Sequence, residues 1–124
     1  MLIRVDSGSD APLFAQIADA IRADIAAGRR HAGDRLPSAR VLAEGLGVNL
    51  HTVLRAYQLL RDEGIVQLRR GRGATVTDAA GSLYELGVEI AALVRRSRQH
   101  GIAPDTLAAL VRGAALRPDA STGG

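Results

Sequence analysis

Asn49, Leu50, His51 and Thr52 stand in a row, with Arg55 following about one helical turn later. These residue types could read the edges of nucleic-acid bases: a planar Asn amide pairs twice with adenine, Thr offers a hydroxyl and a methyl group, and Arg reaches guanine or a phosphate. His51 taken alone reads equally as a solvated surface residue or as a contact to base or phosphate. Ser38 and Arg40 lie upstream, where a helix N-terminus and a guanidinium together suit a phosphate oxygen. In the run "RRGRG", Arg69, Arg70 and Arg72 alternate with Gly71 and Gly73 and have no apolar neighbours to pack on. Such cations suit a phosphate backbone or a narrow minor groove, whose negative potential attracts guanidinium; a solvated turn is the plain alternative. Arg29, Arg30 and Arg35 are weaker candidates in a charged loop.

Catalytic chemistry finds less support. The chain has no Cys, which excludes disulfides, thiolate zinc sites and Cys nucleophiles. Ser38, Ser82, Asp34, Glu44 and the three His (His31, His51, His100) offer no nucleophile, base and orienter at telling spacings, and no two His share a helix face at ligand spacing. A chain of 124 residues has room for one ordinary domain or a small domain with an appendage, so a large cofactor enzyme is excluded and neither cofactor nor metal is expected. All 16 basic residues are Arg, against 13 acids, a net charge of +3. The excess is central: Arg35 to Arg72 holds seven Arg against Glu44, Asp62 and Glu63. That imbalance is compatible with a nucleic-acid partner but does not demand one.

The elements that would position these residues follow from periodicity. Residues 1 to 11 read as an extended arm, with Asp10 as the candidate cap and Pro12 in the first turn of a helix whose apolar face is Leu13, Phe14, Ile17, Ile21 and Ile25. It should end near Gly28. A short helix from Ser38 to Leu46 presents Val41, Leu42 and Leu46, stopped by Gly47; a third, capped by Asn49, buries Val53, Ala56, Leu59 and Leu60 until Gly64. Ile65–Leu68 and Ala74–Thr77 read as a hairpin around the Arg-rich loop. Residues 78 to 82 mark a boundary, after which Ser82 and Glu85 fit a capping box opening a helix of about 25 Å to Arg98. Its stripe is Leu83, Leu86, Ile90, Leu93 and Val94; beyond Gly101 and Pro104 a last helix carries Leu107, Leu110 and Val111. The terminal "RPDASTGG" reads as disordered.

Two short helices joined by about three residues cannot lie antiparallel, and the spacing of Ala43, Gly47 and Val53 matches a helix-turn-helix whose second helix enters the major groove. The stretches "PLFAQIADAIRADIAAG" and "GDRLPSARVLAEGLGVNLHTVLRAYQLLRDEGIVQLRRGRGATV" resemble the winged helix-turn-helix of the GntR family of bacterial transcription regulators, over residues 10 to 78. The short remainder is similar to the YtrA subfamily, in which the C-terminal helices serve dimerisation. The resemblance implies a dimeric repressor or regulator on an inverted-repeat operator, with DNA contacts at Arg40, at Asn49 to Thr52 and in the wing near Arg70 and Gly71; Ser38, Arg55 and Arg72 join them from the residue chemistry. Ala39, Leu50, His51 and Ala74 depart from the residues commonest in the family, which bears on the operator sequence and not on the fold.

The expected fold is therefore mainly α with a small β-hairpin: a winged helix-turn-helix over 1–78, a two-helix dimerisation region over 79–117 and a short tail. With 22 Ala and only three aromatics, large core side chains are scarce, which favours self-association. The expected interface is Leu83, Leu86, Ile90, Leu93, Val94, Leu107, Leu110 and Val111; packing of the same stripe onto the chain's own winged domain is the alternative. Expected partners are double-stranded DNA and a second copy, with any small-molecule effector unknown. A winged-helix module that binds a protein through its third helix would explain Leu50 but leave the Arg-rich wing unused. The N-terminus lacks a signal-peptide pattern and no segment approaches ~20 apolar residues, so a cytoplasmic location and no membrane contact are expected.

Overall fold

The computed structural model describes residues 3–70 and 73–117. Gly71, Arg72 and the tail from residue 118 lie outside that range. The order is α1 (Leu13–Ala26), α2 (Ala39–Leu46), α3 (Leu50–Asp62), β1 (Val66–Arg69), β2 (Gly73–Val76), α4 (Ala79–Gln99) and α5 (Pro104–Leu116). By compactness the chain forms two units, Met1–Val88 and Glu89–Gly124.

In the first unit α3 is the hub, packed against α1, α2 and β1. Its spacing buries Val53, Ala56, Tyr57 and Leu60, while α1 contributes Ile17, Ala18, Ile21 and Ile25. Five of these side chains, Ile17, Ile21, Ile25, Val53 and Leu60, are fully enclosed and make up the centre of the core. Each such aliphatic side chain contributes about 1.5–3 kcal/mol by leaving water. Tyr57 was not among the expected core residues. Its ring is buried because its hydroxyl has a partner, donating to the Pro37 carbonyl at 2.6 Å and tying α3 to the entry of α2.

β1 and β2 pair antiparallel, with Val66 opposite Val76, Gln67 opposite Thr75, Leu68 opposite Ala74 and Arg69 opposite Gly73. Each strand sits one residue from its expected limits. A third segment joins β2 on its other edge, where Arg35 bridges Thr75, the Leu36 N–H donates to Ala74 and the Val76 N–H donates to Asp34. Val66, Ala74 and Val76 face the core.

Three expectations are corrected. Asp10 does not cap α1: Pro12 is the N-cap and makes no side-chain cap bond. The arm is held instead by Gln16, which accepts from the Asp6 N–H and donates to the carbonyls of Asp6 and Ala11. Val41 is 60% exposed, because the inward arc of α2 runs through Leu42, Ala43 and Leu46, roughly 100–160° away around the helix. The Ser82–Glu85 capping box does not form. α4 begins four residues before the Leu83 start that a Ser82 cap would give, where Thr77 Oγ1 accepts from the Ala79 N–H and Ala80 is drawn into the core, so the helix reaches about 31 Å.

The start of α4 packs within the first unit, where Leu83 rests against the core. A Cβ at Gly87 would run into the carbonyl oxygen of Ala26, so only glycine permits that approach of α4 to the end of α1. In the second unit α4 ends beside Gly101, at φ 70°, and α5 starts with Pro104 in its first turn. Of the described residues, no helix is long and apolar enough to cross a membrane.

Burial pushes the Tyr57 phenol up to about 12, with Arg30 opposing the shift. The unfolded value is about 10, so the stability this group contributes is intact below pH 10 and is lost as pH rises through 12. Urea unfolding should therefore weaken across that window, whereas Tyr57→Phe, about 1 kcal/mol less stable at pH 8 through the lost hydrogen bond, should lose less in it. Parallel declines in both proteins would refute this.

Candidate nucleic-acid interface

Gly47 adopts φ 69° and ψ 33° as the C-cap of α2, a left-handed conformation that other L-residues reach only with strain. Its N–H bonds the Glu44 carbonyl, the Val48 N–H bonds Ala43, and the chain turns from α2 into α3 within Gly47, Val48 and Asn49. Ala43 is buried at the crossing, where a small side chain lets the two helices approach. This is the helix-turn-helix that the spacing predicted.

Asn49 caps α3. Its Oδ1 accepts from the His51 N–H at 2.7 Å, which uses one acceptor site and leaves the two N–H donors of the amide unused by that cap. Asn49 and His51 are exposed, whereas Leu50 and Thr52 are half-buried. His51, Thr52 and Arg55 come together with Leu13 and Phe14 along an open groove of about 360 Å3. Arg55 lies over the Phe14 ring, with its guanidinium carbon 3.9 Å from the ring centroid. That cation–π contact holds the charge at the groove beside α1. Sequence reasoning read Phe14 only as part of the buried stripe of α1; a lone aromatic at the helix start, opposite an Arg in the reading turn, was the available signal.

Ser38 is the N-cap of α2 and its Oγ accepts from the Val41 N–H at 3.2 Å, which uses one lone pair and leaves the O–H as a donor. Arg40, one residue into the helix, is exposed. Arg70 follows β1 and is exposed as well, while Gly71 and Arg72 fall outside the described residues.

Ion pairing separates the arginines into two groups. Arg22 donates to both Glu63 and Asp19, and Arg29 and Arg30 face Asp24. The hydrogen bond to Glu63 raises the Arg22 pKa further. Among the described residues no carboxylate lies within ion-pair distance of Arg35, Arg40, Arg55, Arg69 or Arg70. The acids of the first unit thus pair with Arg22, Arg29 and Arg30 of α1 and its following loop and with Arg61 at the end of α3, and among the described residues leave Arg35, Arg40, Arg55, Arg69 and Arg70 without a carboxylate partner. Among the described residues no group of three or more His, Asp or Glu could hold a metal ion.

The other predicted set lies on α4 and α5. Ile90, Leu93, Val94, Leu107 and Val111 line an apolar groove of about 490 Å3 within the second unit, and Leu110 is exposed outside it. Leu86 is exposed in the first unit.

Residues 13–76 match the model of a family described as bacterial regulatory proteins, gntR family. The chain is 37% identical over 79 residues to the HTH-type transcriptional repressor YtrA of Bacillus subtilis, covering 64% of this chain and 61% of that one. Against three curated relatives, this repressor among them, the chain spans 15%, 61% and 64% of their length. Among solved structures it is similar to YtrA from Sulfolobus acidocaldarius, a GntR-family transcription factor, with 38% identity, a TM-score of 0.59 and coverage of 74% of this chain and 99% of that one. It is also similar to the AraR DNA-binding domain in complex with operator ORE1, with 25% identity, a TM-score of 0.53 and coverage of 62% and 94%.

The geometry at Asn49 makes a separable prediction about folding. Asn49→Ala should lower stability by about 1 kcal/mol, while Asn49→Asp, an equally good cap with a charge suited to a helix N-terminus, should stay within about 0.5 kcal/mol of the parent. Denaturant midpoints at neutral pH test this; equal losses in the two variants would contradict it.

Proposed function

The chain belongs to the GntR family of bacterial regulatory proteins, and from that premise we propose that it is a sequence-specific DNA-binding transcriptional repressor, acting as a homodimer on an inverted-repeat operator. The observation that carries this reading is the first turn of α3: Asn49 and His51 exposed, Thr52 at the groove, and Arg55 stacked on Phe14 with no carboxylate at ion-pair distance among the described residues. A helix presented in this way enters a major groove with its N-terminal residues at the base edges. The YtrA proteins are named a repressor and a transcription factor, and the AraR domain was solved on its operator; both facts support the reading.

On this reading Asn49, Leu50, His51, Thr52 and Arg55 meet bases and nearby phosphates. Arg40 and the start of α2 at Ser38 hold the backbone, and Arg70, Gly71 and Arg72 of the wing reach the adjoining minor groove. The chain acts by binding and turns over no substrate.

Self-association follows from the apolar side chains that α4 and α5 leave in water. Leu86, Ile90, Leu93, Leu110 and Val111 are each more than 40% exposed, and Val94 and Leu107 lie beside them. Exposed apolar side chains of this kind suit an interface, and a two-fold pairing of copies would set two reading helices one DNA turn apart, about 34 Å.

Selection of bound duplexes from a randomised pool should return an inverted repeat. Thr52→Ala should then reduce discrimination against single-base changes by about 1–3 kcal/mol, whereas Arg70→Ala should weaken all sequences alike and lower the salt slope by about 0.9. Unchanged discrimination in Thr52→Ala would remove that residue from the reading set. Light scattering at micromolar concentration should give twice the chain mass, and Ile90→Asp should give the monomer; a monomeric parent would overturn the dimer.

A further inference from the structure

The sheet beside the wing has a second face, opposite the one that carries Val66, Ala74 and Val76 into the core. Side chains alternate across a strand, so Gln67, Arg69 and Thr75 share the outer face, and the bridge to Thr75 sets Arg35 in the same cross-strand row. Arg35, Gln67, Arg69 and Thr75, with Gly33, line a polar cleft of about 260 Å3. Neither guanidinium has a carboxylate within ion-pair distance among the described residues. The neighbouring Asp34 is turned away, its carboxylate accepting from the His31 N–H at 2.8 Å. Arg69 Nη2 lies 3.4 Å from Gln67 Oε1, which occupies the oxygen of that amide and leaves its NH2 group as a donor. Arg69 stands opposite Gly73, so no cross-strand side chain crowds it.

The cleft thus gathers two permanent cations, an amide donor and a hydroxyl, with no acid on its lining. The backbone beneath it is fixed by hydrogen bonds on both edges of β2. This is the chemistry of a phosphate oxygen site, where guanidinium forks and neutral donors converge. We infer that Arg35 and Arg69, with Gln67 and Thr75, form a clamp for a phosphodiester of duplex DNA on the outer face of the wing, separate from the reading helix and from the wing tip. The inference rests on the DNA-binding reading above and adds to it a sequence-independent anchor, which positions the duplex without reading it.

The test uses the full chain and a short duplex of arbitrary sequence, with affinity measured by fluorescence anisotropy over a salt series. Each phosphate neutralised adds about 0.9 to the slope of log K against log salt, so the double variant Arg35→Gln/Arg69→Gln, which empties a clamp on one phosphodiester, should lose about 0.9 from the parent slope. Arg35→Lys/Arg69→Lys should retain most of it. Arg95→Gln/Arg96→Gln, which removes the same charge from an exposed stretch of α4, should leave it unchanged. Both altered pairs are exposed, and matching circular-dichroism melts would exclude a folding effect. A parent chain that fails to bind duplex would sink the DNA-binding reading itself. A parent that binds with a steep slope, undiminished in the Arg35→Gln/Arg69→Gln variant, would overturn the clamp alone. Calorimetric binding of inorganic phosphate that this variant abolishes, without a change in duplex slope, would identify a soluble anion as the occupant and would also overturn it.

Discussion

The burial of one side of α3 is the constraint on which everything else depends. Val53, Ala56, Tyr57 and Leu60 must be covered together, and α1, α2 and β1 are the elements that cover them. With that side committed, the helix has no freedom to rotate, and the turn from Asn49 to Thr52 is placed by the packing behind it. The Tyr57 hydroxyl strengthens the arrangement by engaging Pro37 just before α2 begins, so the two helices of the motif are joined by a polar bond as well as by Leu42 and Ala43. A hydroxyl brought in among buried aliphatic side chains is costly unless it is paired, and the Pro37 carbonyl supplies that pairing.

Charge distribution follows from the same frame. The carboxylates of Asp19, Asp24 and Glu63 lie near α1 and the end of α3, and they claim Arg22, Arg29 and Arg30. Among the described residues, Arg55 near the far end of α3 and Arg69 and Arg70 of the hairpin have no such partner. A net charge of +3 for the chain conceals this polarity, which creates a local field much stronger than the total would suggest.

Much of the architecture was legible because its signals are local. Gly47 with Asn49 two residues later marked a left-handed stop and a new cap, and both are found at those positions. The strands were legible to within a residue, because Val and Ile alternate with polar positions on either side of the Arg–Gly loop. What escaped depended on contacts between distant residues. Tyr57 stands outside the expected stripe of α3, and its burial rests on Pro37, twenty positions earlier, which accepts from its hydroxyl. Ser82 and Glu85 satisfy a capping pattern, yet Thr77 begins the helix sooner because Ala80 has a place in the core. Phe14 over Arg55 joins elements forty-one residues apart, and no spacing rule relates them. The row formed by Arg35 and Thr75 escaped for the same reason, since only sheet register reveals it.

The stack of Arg55 on Phe14 has a thermodynamic consequence of its own. A free arginine side chain samples many rotamers, and immobilising one on complex formation opposes association by about 0.5–1.5 kcal/mol. Here the aromatic ring has already narrowed that ensemble in the unliganded protein. Docking would therefore meet a smaller entropic opposition at this side chain than at Arg40 or Arg70, for which no such ring is found among the described residues.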